Sequence, residues 1–216
     1  MYMMKGALFD LDGVIFDTEP QYSVFWGEQM RMYYPNETGL ENLIKGQTLP
    51  QIFDSFFPGM EQAQRDITQR LNEFERHMSY DYIEGVEAFL KDLREHGVKT
   101  AVVTSSNHPK MENVYRNHPE FTSYFDRILT SEDFSKSKPD PDCYLKGAEY
   151  LGALPQECVG FEDSFNGLKA VKASGMKVVG LYTTNSREDI LPYCDLVLPH
   201  FGEINYLDIL QLFDNK

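Results

Sequence analysis

Ala7-Leu8-Phe9-Asp10-Leu11-Asp12-Gly13-Val14 is the stretch that decides how this chain folds. Its apolar run suits a buried strand, and the run ends in two carboxylates one residue apart. Unpaired charge at the end of a core strand is costly, so such acids hold a metal, meet a cation or perform chemistry. The other parts of a site must then come from elsewhere in the 216 residues.

Downstream, residues from Glu19 to about His77 carry helical patterns and no strong strand signal. Tyr22, Phe25, Trp26 and Met30 make one apolar stripe, and Ile67, Leu71, Phe74 and Met78 another, with Pro20, Pro35, Pro50 and Pro58 as punctuation. We read the stripes as the core of a compact helical block. After Gly85 strands and helices alternate. Thr100–Thr104, Arg127–Thr130, Cys158–Phe161, Val178–Leu181 and Leu196–Leu198 read as strands, with helical segments between them. That alternation predicts an α/β fold with a mostly parallel sheet and helices on both faces. The expected organisation is an α/β core of residues 1–15 and 87–216, with a helical cap, 16–86, inserted between the first two strands.

Composition narrows the function. With 34 acids against 20 lysines and arginines, the formal charge is −14. This argues against nucleic acid and anionic membranes as partners. A small phosphorylated substrate stays compatible, because a metal and one lysine can dominate the field inside a cleft. The three cysteines, Cys143, Cys158 and Cys194, form no CxxC pair, so neither a zinc site nor a disulfide framework is expected. The apolar start Met1–Met4 meets Asp10 and Asp12 too soon for a secretory leader. No apolar run approaches the roughly 20 residues of a membrane span. We expect a cytoplasmic, monomeric protein.

Ligands of open parallel sheets sit beyond the carboxyl ends of the strands. Asp10 and Asp12 follow the first strand there, and Thr104-Ser105-Ser106-Asn107 the second. Ser137-Lys138-Pro139-Asp140-Pro141-Asp142 lies past the third, and Glu162-Asp163-Ser164 after the fourth. Acids, hydroxyls and one lysine on a single sheet edge have the logic of phosphoryl transfer. A carboxylate attacks phosphorus, a divalent cation such as Mg²⁺ screens the repulsion between acid and phosphate, and fixed donors hold the phosphoryl oxygens.

Four ordered segments carry a resemblance: Phe9-Asp10-Leu11-Asp12-Gly13-Val14, Val103-Thr104-Ser105, Lys138-Pro139-Asp140-Pro141-Asp142 and Gly160-Phe161-Glu162-Asp163-Ser164. Together they are similar to the motifs of the haloacid dehalogenase-like hydrolase superfamily, closest to its β-phosphoglucomutase and phosphatase subgroup. The resemblance implies a Rossmann-like three-layer core and a cap inserted after the first motif. It implies Asp10 as nucleophile and metal ligand, and Asp12 as general acid and base with its backbone carbonyl on the metal. Thr104 and the Ser105 amide would bind the phosphoryl group, Lys138 would neutralise nucleophile and phosphate, and Glu162 and Asp163 would complete an Mg²⁺ site. Dehalogenase chemistry is disfavoured, because that branch lacks the second acid.

The expected activity is Mg²⁺-dependent hydrolysis of a small phosphorylated metabolite, a sugar phosphate, through an aspartyl phosphate. The alternatives are β-phosphoglucomutase and inorganic pyrophosphatase. Mutases of this subgroup carry a histidine and a cap arginine where this chain has Tyr22 and Leu49. Lys45 and Arg70 are candidate substrate contacts, and Thr18 or Asp17 a candidate helix cap.

Overall fold

The computed structural model describes residues 4–214; Met1–Met3 in the apolar start, and Asn215 and Lys216 of the expected core, lie outside the described residues. Six strands, β1 (Gly6–Phe9), β2 (Lys99–Val103), β3 (Arg127–Leu129), β4 (Cys158–Glu162), β5 (Lys177–Leu181) and β6 (Leu196–Leu198), form one sheet. Its order is β3-β2-β1-β4-β5-β6, and every pairing is parallel. Between β1 and β2 lie α1 (Glu19–Tyr33), α2 (Leu49–Phe56), α3 (Glu61–His77) and α4 (Val86–Glu95). The later connections carry α5 (His108–Asn117), α6 (Asp142–Leu151), α7 (Phe165–Ser174) and α8 (Arg187–Ile190), and α9 (Tyr206–Asp214) follows β6.

Alternation along the strands divides the core into two layers. Ala7, Phe9, Val102, Val159 and Phe161 pack on one face against α4, α5 and α9. Leu8, Ala101, Val103 and Cys158 pack on the other against α6, α7 and α8. Phe9 and Phe161 stack at 4.5 Å, with Phe89 and Phe201 around them. Such aromatic pairs add about 0.5–1.5 kcal/mol each beyond area burial. This is the expected α/β architecture. Among the described residues no helix is long and apolar enough to cross a membrane.

A third cluster joins α1, α2 and α3 through Phe25, Trp26, Met30, Ile52, Phe57, Ile67 and Leu71. We propose that this helical block is a separate cap unit, with boundaries tighter than the expected 16 and 86. Phe16, Met78, Tyr80, Ile83 and Val86 pack with the sheet-side cluster instead. The two chain segments entering and leaving the block pair as a short ribbon. Phe16 bridges Tyr82 antiparallel, the Asp17 amide donates to the Asp81 carbonyl (2.8 Å), and the Ile83 amide donates to the Ile15 carbonyl (2.8 Å).

Candidate active site

The chain steps outward from β1 through β2 to β3, then returns to the other side of β1 as β4. The direction of winding reverses beside β1, where ligands of such sheets bind. A cavity of about 590 Å³ opens there between the strand ends and the helical block. Asp10, Asp12, Thr104, Ser105 and Asp163 line it, and so do Tyr22, Trp26, Lys45, Glu75 and Lys110.

Lys138 is fully buried, and its ammonium has three acceptors: Asp10 Oδ1 at 2.8 Å, Glu162 Oε1 at 2.5 Å and the Val103 carbonyl at 3.1 Å. Burial pulls its pKa down, but Asp10 and Glu162 outweigh this and hold it above the ordinary lysine range. Tyr144 also donates to Glu162 Oε1, at 2.8 Å. Glu162 Oε2 accepts from the backbone amides of Asp163 (3.2 Å) and Ser164 (3.4 Å). It therefore sits at the amino end of α7, where the helix dipole favours an anion. Ser164 caps that helix, its hydroxyl accepting from the Gly167 amide at 3.1 Å. A Cβ at position 167 would run into the Glu162 carboxylate, so the acid fits under the helix only against glycine.

Asp10, Glu162 and Asp163 bring carboxylate oxygens within 4.8 Å of one another. Burial, with Glu162 and Asp12 adding to it, raises the Asp10 pKa to about 7 against the pull of Lys138. Asp163 is raised well above its usual range by burial, then by Glu19, Glu162 and Asp10. Among the described residues its carboxylate meets the Thr184 hydroxyl and no cation. A buried anionic cluster of oxygen donors with too little positive charge is the chemistry that suits a hard divalent cation such as Mg²⁺. Asp10 and Asp163 fit the role of ligands. Both oxygens of Glu162 already have partners in Lys138, Tyr144 and the α7 terminus.

Asp12 lies apart from that trio. Its carboxylate accepts from Lys110 Nζ at 2.5 Å on each oxygen, from Thr18 Oγ1 at 2.5 Å and from Ser106 Oγ at 3.1 Å. Thr104 is buried, and its Oγ1 accepts from the Ser106 amide at 3.0 Å. The Ser105 hydroxyl reaches the Gly46 carbonyl at 3.3 Å. That contact belongs to a seam between the helical block and the sheet. Gln51 Nε2 donates to the Lys138 carbonyl (3.2 Å), Asn166 Nδ2 donates to the Lys45 carbonyl (3.5 Å), and the Thr48 and Ser137 hydroxyls lie 3.4 Å apart.

Several placements differ from the sequence reading. Thr18 stands at the amino end of α1 but makes no side-chain cap bond; its hydroxyl goes to Asp12. Arg70 is not a cavity residue. It ties α3 to α1 through Gln29 (2.8 Å) and Tyr33 (3.3 Å). Lys45 does line the cavity, 3.7 Å from Glu19. Glu19 is raised to about 7 by burial and then by Asp12, with Lys45 opposing. Tyr22 and Trp26 pack in the block and also wall the cavity.

Sequence reasoning missed Lys110, Tyr144, Glu75 and Thr184. Lys110 had a signal: Asn107 and Pro109 start a helix, and a cation in a first turn opposes the dipole unless an acid holds it. Thr184 has one too, since it follows the fifth strand, on the same sheet edge as the four strand ends named above.

A family profile for haloacid dehalogenase-like hydrolases matches residues 7–181. Hexitol phosphatase A of Escherichia coli is 31% identical over 212 residues, covering 93% of this chain and 93% of that protein. The β-phosphoglucomutase of Bacillus subtilis is 28% identical over 82% of this chain and 83% of its own. The crystal structure of a family IA, variant 3 hydrolase from Entamoeba histolytica superposes with a TM-score of 0.85 at 21% identity, covering 98% of this chain and all of that one. The profile spans the sheet from β1 to β5, and so every strand end that lines the cavity; this chain belongs to the haloacid dehalogenase-like hydrolases.

Proposed function

We propose that this protein is an Mg²⁺-dependent phosphatase acting on the monophosphate of a sugar or sugar alcohol, through an aspartyl phosphate on Asp10. The observation that carries the reading is the buried Lys138 ammonium shared by Asp10 and Glu162, with Asp163 beside them and a cavity above. Similarity to hexitol phosphatase A supports the substrate class. Asp10 and Asp163, with the Asp12 carbonyl that the family resemblance implies, would hold a bound Mg²⁺, which would supply charge neutralisation at the phosphoryl oxygens. Glu162 serves that site by anchoring Lys138.

In the first half-reaction an Asp10 oxygen attacks phosphorus, and the bond from phosphorus to the leaving oxygen breaks. Asp12 gives its proton to that oxygen. In the second, water attacks the aspartyl phosphate, its proton passes to Asp12, and the bond between phosphorus and the Asp10 oxygen breaks. Thr104 and the Ser105 amide hold the phosphoryl group as charge develops, while Lys138, whose three protons already have acceptors, neutralises Asp10 from beneath. The seam along residues 45–51 keeps other water out.

The alternatives find less support. A mutase must grip a second phosphate, and among the described residues the cavity lining contains two lysines and no arginine. Lys45 faces Glu19 and Lys110 is bound to Asp12. Pyrophosphate would leave the wall of Trp26, Ile44, Ile52 and Leu71 without an occupant. A cytoplasmic, monomeric enzyme remains part of the proposal. The test is phosphate release from a panel of sugar and sugar alcohol monophosphates with Mg²⁺. We expect turnover of at least one and none by Asp10→Asn. Release no greater than that variant's on every ester would overturn the reading.

A further inference from the structure

Lys110 is a buried cation on the cavity wall that the chemistry above leaves without a task. It stands in the first turn of α5, its amide donating to the Asn107 side chain at 3.1 Å. A lysine there works against the helix dipole, and burying its ammonium adds a desolvation cost. Lys110 is nonetheless only 2% exposed. Its ammonium sits on both oxygens of Asp12 at 2.5 Å, and 4.5 Å from the centre of the Tyr22 ring. Tyr22 is in turn fixed by donating to Glu75 at 2.8 Å. The lysine is thus held from below by an aromatic face and aimed at a single carboxylate.

Thr18 adds a second fixed donor, to Oδ1 of Asp12, from the segment that enters the helical block. Ser106 approaches Oδ2 at 3.1 Å, the longest of these contacts. A hydroxyl can turn away and open one side of Oδ2 for proton exchange, while Lys110, on both oxygens, and Thr18, on Oδ1, keep the carboxyl group in place. We propose that Lys110 is a positioning residue for the acid–base step: it fixes the rotation of the Asp12 carboxyl group and acts through Asp12 rather than on substrate. The inference rests on the phosphatase reading and deepens it.

The experiment compares wild type, Lys110→Met, Lys110→Arg, Asp12→Asn and the double variant Asp12→Asn/Lys110→Met. Two esters are used: the sugar or sugar alcohol monophosphate that wild type hydrolyses, and p-nitrophenyl phosphate, whose leaving group needs no proton. Lys110→Met is expected to lower kcat on the sugar ester by about 10–100-fold, the size of loss seen when an outer partner of a metal ligand is removed. KM should stay within about twofold, as for a group that does not bind substrate. Lys110→Arg should recover most of the loss. Single-turnover release of p-nitrophenolate should fall much less than that of the sugar. In the Asp12→Asn background Lys110→Met should cost almost nothing more, because the two residues act as a unit.

A raised KM with unchanged kcat would mean that Lys110 touches substrate and would overturn the proposal. So would a full, additive loss in the Asp12→Asn background. If Lys110→Met does not fold, Lys110→Gln is judged by the same criteria. A wild type that hydrolyses no ester would defeat the phosphatase reading and this inference together; an active wild type with additive losses defeats only the inference.

Discussion

Lys138 shows how a single side chain organises the centre of this protein. Each of its three ammonium protons has an acceptor, and two of those acceptors are carboxylates on different strand ends. Removing one partner of a buried ion pair costs about 3–5 kcal/mol, since the other charge is left uncompensated. Lys138→Met should therefore abolish turnover and also lower stability by that amount, read from the urea midpoint. A variant as stable as wild type would show that Glu162 is neutralised some other way. Lys138 was legible in the sequence through its Pro- and Asp-rich surroundings. Lys110 carries only the hint of a cation in the first turn of a helix; its partner lies 98 positions away, and no local pattern says which acid that is. Arg70 misled for the opposite reason: charge on a helix does not say which face it occupies, and here it braces α1.

Among the elements, the segment from Lys45 to Gln51 is the one that joins the helical block to the strand ends beside the cavity. Gly46 lies at φ +73°, in the left-handed region that favours glycine, and a Cβ there would run into the Ser164 hydroxyl. Gly46→Ala should keep this segment from seating on the strand ends. Misplacements of about 1 Å near reacting groups can cost on the order of 10²-fold, so kcat/KM should drop by roughly that factor with little change in the melting temperature. Unaltered kinetics would show that the seam is not needed for reaction. Most helices are readable from apolar spacing, and the parallel sheet from the alternation of strands and helices; the strand order is not. The seam was not readable. It consists of single hydrogen bonds between polar loop residues, such as Asn166 with Lys45, which leave no periodicity.

For the molecule as a whole, charge is the governing quantity. The formal charge is −14, and part of that excess is buried beside β1 and β4. Asp10 moves from an ordinary 3.8 to about 7 on folding. Between those values the native state keeps a proton that the unfolded chain has lost, so stability falls as pH rises through the window. Glu19, raised to about 7, acts in the same direction. Without metal, the melting temperature should decline between about pH 4.5 and pH 7. Mg²⁺ should offset the decline, with a larger stabilisation at the upper pH. Equal stabilisation at both ends would show that the acids are not where the ion binds.

The paired segments Ile15–Asp17 and Asp81–Ile83 set how the helical block is attached. Two independent tethers would let it tumble and shear in several directions. Strapped together by backbone hydrogen bonds, they leave essentially one swinging axis, like a door hung on a single pin. If the block opens about that ribbon, an ester would enter and phosphate leave by one doorway, and stiffening the pin would slow both.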